Sequence, residues 1–112
     1  MIPTIPLLRS GLAYGSLDVQ SIEPVGGGDE VARITMANSG LIRRDLLDMS
    51  QGRSVLRQFS TSELLDITVA AGDIFLNDEL PVGQEGQLQS PEDYLQSLAA
   101  TSGLPHALIK MN

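Results

Sequence analysis

The stretch from Leu64 to Leu76 constrains this chain more than any other. Read as a helix, it places Glu63, Asp66, Asp73 and Asn77 along one narrow edge, while Leu64, Leu65, Ile67, Val69, Ala70, Ala71, Ile74, Phe75 and Leu76 take the rest of the circumference. A helix with so wide an apolar surface requires neighbours on several sides. Its start is marked by "STSE", Ser60 to Glu63, a capping box in which Ser60 accepts from the helix backbone and Glu63 reaches back. The helix is expected to run to about Asn77. A free-standing domain of 112 residues buries roughly 65% of its unfolded surface, enough for one modest core. The other elements legible here barely surround such a helix, and the expectation is that the chain is the front part of something larger.

Those other elements are few. Residues 1–17 alternate Pro and Gly with apolar residues, which suits an extended arm lying on another surface. "DVQSIEPV" and "VARITMA" read as two strands around "GGGDE", placing a β-hairpin at 18–37. From Ser39 the period changes: Ile42, Leu46, Met49, Leu56 and Phe59 lie along one face of an amphipathic helix interrupted by Gly52. "NDELPVGQEGQLQ" reads as a polar loop. "SPED" then opens a third helix, with Ser90 at the N-cap, Pro91 at the first helical position and Glu92 and Asp93 facing the dipole. Ser102-Gly103 stops it, and Leu104-Pro105 starts a helix with little chain left to complete it. The fold class is therefore α+β, one partial domain over 1–112 with a helical part at 38–112 truncated at its C-terminal end. Gly52 and Gly72, each inside a helix that alanine would serve better, mark expected points of close approach by a neighbouring group.

Composition excludes several classes of function. The formal net charge is −7, and the excess lies wholly in the second half, where one Lys faces eight acids. Phosphate backbones demand clustered Lys and Arg, so nucleic acid is not an expected partner. Arg43, Arg44, Arg53 and Arg57 are interleaved with Asp45 and Asp48 and read as a solvated helix face with local ion pairs. With no cysteine there is no disulfide, no thiolate ligand and no thiol nucleophile. The apolar stretches, broken by Asp66 and Asp73, fall short of the roughly 18–20 residues of a membrane span, and "MIPTIPLLRS" is a poor signal peptide. A cytoplasmic protein with no membrane partner is expected.

No catalytic, cofactor-binding or metal-binding residue is assigned. "VGGGDE" lacks the spacing, the Lys-Ser/Thr and the helix start of a phosphate cradle, and its two acids would repel an anion. His106, the sole histidine, has no Cys or second His to share a metal with and no nucleophile motif beside it. The adjacent acids Asp29-Glu30, Asp78-Glu79 and Glu92-Asp93 are explained by turns and first helical turns, without a cleft to push their pKa values apart.

The order of elements from Pro24 to Asn77 resembles the N-terminal region of the aldehyde dehydrogenase superfamily. The resemblance is carried by Pro24, Gly28, Glu30, Val31, Ala32, Ile34 and Ala37 in the hairpin, Asp45-Leu46 at the first helix and "AAGDIFL" in the second, with "SPEDYLQSLAATSGLP" similar to a less typical branch. Asp29 is inserted between Gly and Glu, Met49 and Gly52 stand where the family favours Ala, and Leu64 where it favours Arg. The resemblance implies an α/β, Rossmann-like parent that uses NAD or NADP and works with a cysteine nucleophile, a glutamate base and an oxyanion-stabilising asparagine. None of these has a matching position in this sequence. It implies that this segment is a non-catalytic part of an oxidoreductase, binding no cofactor itself, with the remainder of the parent chain as its partner and a homo-oligomeric parent allowed. The alternative reading is a complete small acidic protein-interaction domain without catalytic activity.

Overall fold

The computed structural model describes residues 2–83 and 86–111. The N-terminal segment begins with β1, Thr4–Ile5, held to two residues by Pro3 and Pro6, neither of which has an N–H to donate to a ladder. The carbonyl of Pro3 still accepts from the Arg33 N–H at 2.9 Å. β1 lies parallel to β5, Ala32–Thr35, with Thr4 opposite Arg33 and Ile5 opposite Ile34. On the other side of β5 runs β4, Val19–Ile22, antiparallel and in register from Val19 opposite Thr35 to Ile22 opposite Ala32. The result is a three-stranded sheet of order β1-β5-β4. The expected hairpin at 18–37 is therefore present, and the loop between its strands uses positive φ at Gly27 and Gly28.

The arm at 1–17 has more structure than its Pro/Gly pattern indicated. β2, Leu7–Arg9, and β3, Leu12–Tyr14, form an antiparallel ribbon joined by Ser10-Gly11 at φ 51 and 79. Left-handed backbone at both central residues is the geometry whose twist suits a two-residue hairpin loop. A second ribbon, β6 at Leu80–Val82 and β7 at Gln87–Gln89, occupies the stretch expected as a polar loop, of which Gln84 and Glu85 lie outside the described residues. At Gly83, with φ 78, a Cβ would stand 3.3 Å from the Thr4 carbonyl oxygen, so the ribbon meets the arm where only glycine fits.

The helices are set by their caps. α1, Ser39–Leu56, opens on Asn38, whose side-chain oxygen accepts from the Leu41 N–H at 2.8 Å. α2, Thr61–Asn77, carries the expected capping box: Glu63 N–H donates to Ser60 Oγ at 3.2 Å and Ser60 N–H to Glu63 Oε2 at 2.7 Å. α3, Pro91–Ser102, repeats the arrangement with Ser90 and Asp93 and ends on Gly103 at φ 72, as its sequence indicated. α4 is a single short segment, His106–Lys110, whose Lys110 Nζ lies 3.6 Å from Glu92 Oε2 of α3. Between the layers, Val25 N–H donates to Ala100 O at 2.9 Å, and the Phe75 and Tyr94 rings meet edge to face with centroids 5.0 Å apart.

Among the described residues no apolar side chain is buried, and the one buried residue is Thr35, at 1% exposure. The accessible surface is 8741 Å², where a free-standing 12.0 kDa monomer exposes roughly 6,000 Å². The Cα radius of gyration is 16.7 Å against about 13 Å for a domain of this length. α1 and α2, joined only by residues 57–60, do not pack along one another. The wide apolar surface of α2 faces outward, with Leu65, Val69 and Leu76 each more than half exposed.

Two substitutions test this description. The Thr35 hydroxyl is enclosed without a hydrogen-bond partner, so Thr35→Val removes an unsatisfied polar group and raises stability by about 1 kcal/mol in denaturant titration. A loss would mean that the hydroxyl has a partner. The expected close approaches at Gly52 and Gly72 are not met within the chain, because a Cβ at either would find nothing within 4 Å. Helix dichroism should then rise on Gly52→Ala, with a gain of about 0.5–1 kcal/mol, and a fall would restore the close-approach reading there.

Candidate functional site

Several polar groups of this structure are engaged in building it. Leu7 and Arg9 share one face of β2, and Arg9 reaches across to α1, where Nε donates to Asp45 Oδ2 at 2.7 Å and Nη2 to Oδ1 at 2.6 Å. The guanidinium also stands over the Tyr14 ring, 4.8 Å from its centroid. A planar fork on a carboxylate fixes direction as well as distance. This pair corrects the expected pattern on α1: Asp45 serves the arm instead of its arginine neighbours in the helix. Sequence reasoning missed it because a contact between residues so distant in the chain leaves no periodic mark. The signal that was present is Ser10-Gly11, whose tight turn fixes which residues of the ribbon share a face.

Glu30, Asp93 and Glu92 follow the same rule. Glu30 accepts from Ser21 Oγ at 2.7 Å and from the Arg33 guanidinium, which joins the hairpin loop to β5. Asp93 is the capping partner of Ser90, and Glu92 faces Lys110. His106 stands exposed at the start of α4, and Asp78 is the C-cap of α2. Neither the glycines of the hairpin loop nor the three acid pairs are brought to a common cleft. Among the described residues no group of three or more His, Cys, Asp or Glu side chains is arranged to hold a metal ion, and no helix is long and apolar enough to cross a membrane.

A concavity among the described residues has a partly polar lining. It is an open depression of about 390 Å³ bounded by Tyr14, Ser16, Asp18, Met36, Asn38 and Leu41 among others. Ser16 Oγ donates toward the carbonyls of Asp18 and Met36, each at 3.0 Å, and accepts from the Asp18 N–H at 3.2 Å. Asn38 is occupied as the α1 cap. These bonds splice the arm to the sheet. No family model, curated protein or solved structure matches the chain.

The carboxylates report the same structural roles through their acidity. Asp45 is held below the usual carboxylate range first by the Arg9 hydrogen bonds, Glu30 by Arg33 and then Ser21, Glu63 by the Ser60 backbone N–H, and Asp93 by the Ser90 hydroxyl. A depressed folded-state value adds stability that is complete above the unfolded-state value and is lost as pH falls through the folded one. Helical dichroism is therefore expected to hold flat above about pH 5 and to decline on acidification below the ordinary carboxylate values of about 4. Glu63→Gln and Asp93→Asn together should flatten that decline, and an unchanged acid limb in the double variant would show that the caps do not carry it.

Proposed function

We propose that this chain is a non-catalytic outer layer of an NAD(P)-dependent, aldehyde dehydrogenase-like oxidoreductase that acts in the cytoplasm, and that it packs on the cofactor-binding domain of its parent. The observation that carries the reading is the missing core: no described apolar residue is buried, and the surface exceeds that of a free monomer of this mass. A chain with 42% hydrophobic residues and capped, regular helices has the means to pack but lacks the material to pack against. The arm and sheet offer Leu8, Leu12 and Leu17, all more than 70% exposed, as the contact to such a domain. The resemblance from Pro24 to Asn77 supports this reading, its motif residues falling on and around β4, β5, α1 and α2. The chain itself holds no cysteine to serve as nucleophile and no Gly-rich turn leading from a strand into a helix to receive a pyrophosphate. Its role in this reading is support.

The reading is tested at the gene. An open frame that continues past the Asn112 codon and encodes a cysteine nucleophile and a nucleotide-binding sheet is the expected result, and a stop codon there overturns it. In calorimetry the 112-residue chain should bind neither NAD nor NADP, and saturable binding, even at millimolar strength, would contradict the supporting role.

A further inference from the structure

We propose that the α1–α2 face is an interface between two copies of this chain, with α1 of each copy packed on α2 of the other. The proposal does not rest on the oxidoreductase reading, although both start from the uncovered apolar surface.

Three observations carry it. The first is charge. α1 with its C-cap carries Arg43, Arg44, Arg53 and Arg57 against Asp45 and Asp48, and Asp45 is already committed to Arg9. α2 carries Glu63, Asp66 and Asp73 and no basic residue. Among the described residues none of these four arginines makes an ion pair, and none of the three α2 acids faces a cation. One helix thus carries a basic excess beside its apolar residues, the other only acids beside its own. Two α2 helices would repel each other, and two α1 helices likewise, whereas α1 against α2 matches both surfaces.

The second observation is geometric. The helices are nearly equal, 18 and 17 residues, and both are without a buried side chain. They do not pair within one chain, and the short joint between them is hydrogen-bonded at both ends. Arg57, Gln58 and Phe59 N–H groups donate back to Arg53, Val55 and Leu56, and the capping box at Ser60 sets the direction of α2. A twofold axis then supplies the pairing absent within the chain, since in an isologous contact α1 meets α2 and α2 meets α1.

The third observation is area. The surface exceeds that of a free monomer by roughly 2,700 Å² per chain. Obligate homodimers bury about 2,000–5,000 Å² in total, so the α1 and α2 faces can supply a stable contact and leave the arm and sheet uncovered.

The test uses the 112-residue chain in analytical ultracentrifugation, with two charge-reversed variants at exposed helix positions, Arg43→Glu/Arg53→Glu and Asp66→Arg/Asp73→Arg. The unaltered chain is expected to sediment as a dimer at tens of micromolar, and to dissociate more readily as salt rises from about 0.05 to 0.5 M. Each variant alone should lose at least about tenfold in self-association, with helical dichroism retained, and an equimolar mixture of the two should recover the dimer as a heterodimer. A monomeric unaltered chain at 100 micromolar or so overturns the proposal. So does a dimer that both variants leave intact or that salt tightens, and so does a mixture that fails to recover. None of these outcomes bears on the reading frame beyond Asn112, so the dimer and the oxidoreductase reading stand or fall separately.

Discussion

The constraint on which everything else depends is that this chain has more apolar helix surface than it has elements to cover it. Burial of apolar surface is the dominant favourable contribution in most domains, yet here each helix leaves its apolar residues at least partly open to water. What holds the described structure is therefore directional: strand pairing, two capping boxes, two bidentate ion pairs and a backbone link from the hairpin loop to α3. Interactions of this kind fix geometry but add modestly to stability, about 0.5–1.5 kcal/mol net for an ordinary hydrogen bond and less for most exposed ion pairs. Shape is thus specified by local and directional contacts more than by apolar burial.

That division explains why the polar clusters of this chain are scaffolding. Each polar cluster has an architectural partner: Arg9 with Asp45, Glu30 with Ser21 and Arg33, Ser16 with the carbonyls at the sheet's end. A reacting site instead needs groups held together at some expense to the fold, with acidities pushed apart by burial or like charge. Here the resolved carboxylate shifts all run downward, toward the charged form, each caused by a hydrogen bond that also builds structure.

The parts of this fold legible in the sequence are those encoded over three or four residues. Ser60 with Glu63, Ser90 with Asp93, Pro91 and Gly103 located helix ends because capping is a local hydrogen-bond problem. The β4–β5 hairpin was legible from two β-rich runs about a glycine loop. What escaped was nonlocal or short: the parallel pairing of β1 to β5, the ribbon inside the arm, and the small β6–β7 ribbon, whose three-residue strands are too brief for a period to emerge. The glycines at 52 and 72 were read as contacts because helix propensity disfavours them, but propensity does not say whether a neighbour is present. For the candidate site, the absence of cysteine and of a phosphate-loop spacing was plain from composition, whereas the Arg9–Asp45 pair required the folded chain.

The meeting of Gly83 with Pro3 and Thr4 bears on the order in which this structure assembles. The capped helices and the two tight ribbons need contacts only between near neighbours in sequence, and such contacts form early because little chain entropy is lost in making them. β1 is different: it joins β5 only after the chain closes a loop that contains the arm ribbon and the whole of β4, and Gly83 reaches it from beyond both long helices. With two residues and prolines on either side, β1 cannot nucleate that closure. β1 is accordingly the last piece to settle, and because it precedes β5 in the chain it waits unpaired during synthesis until its sheet partner has been made.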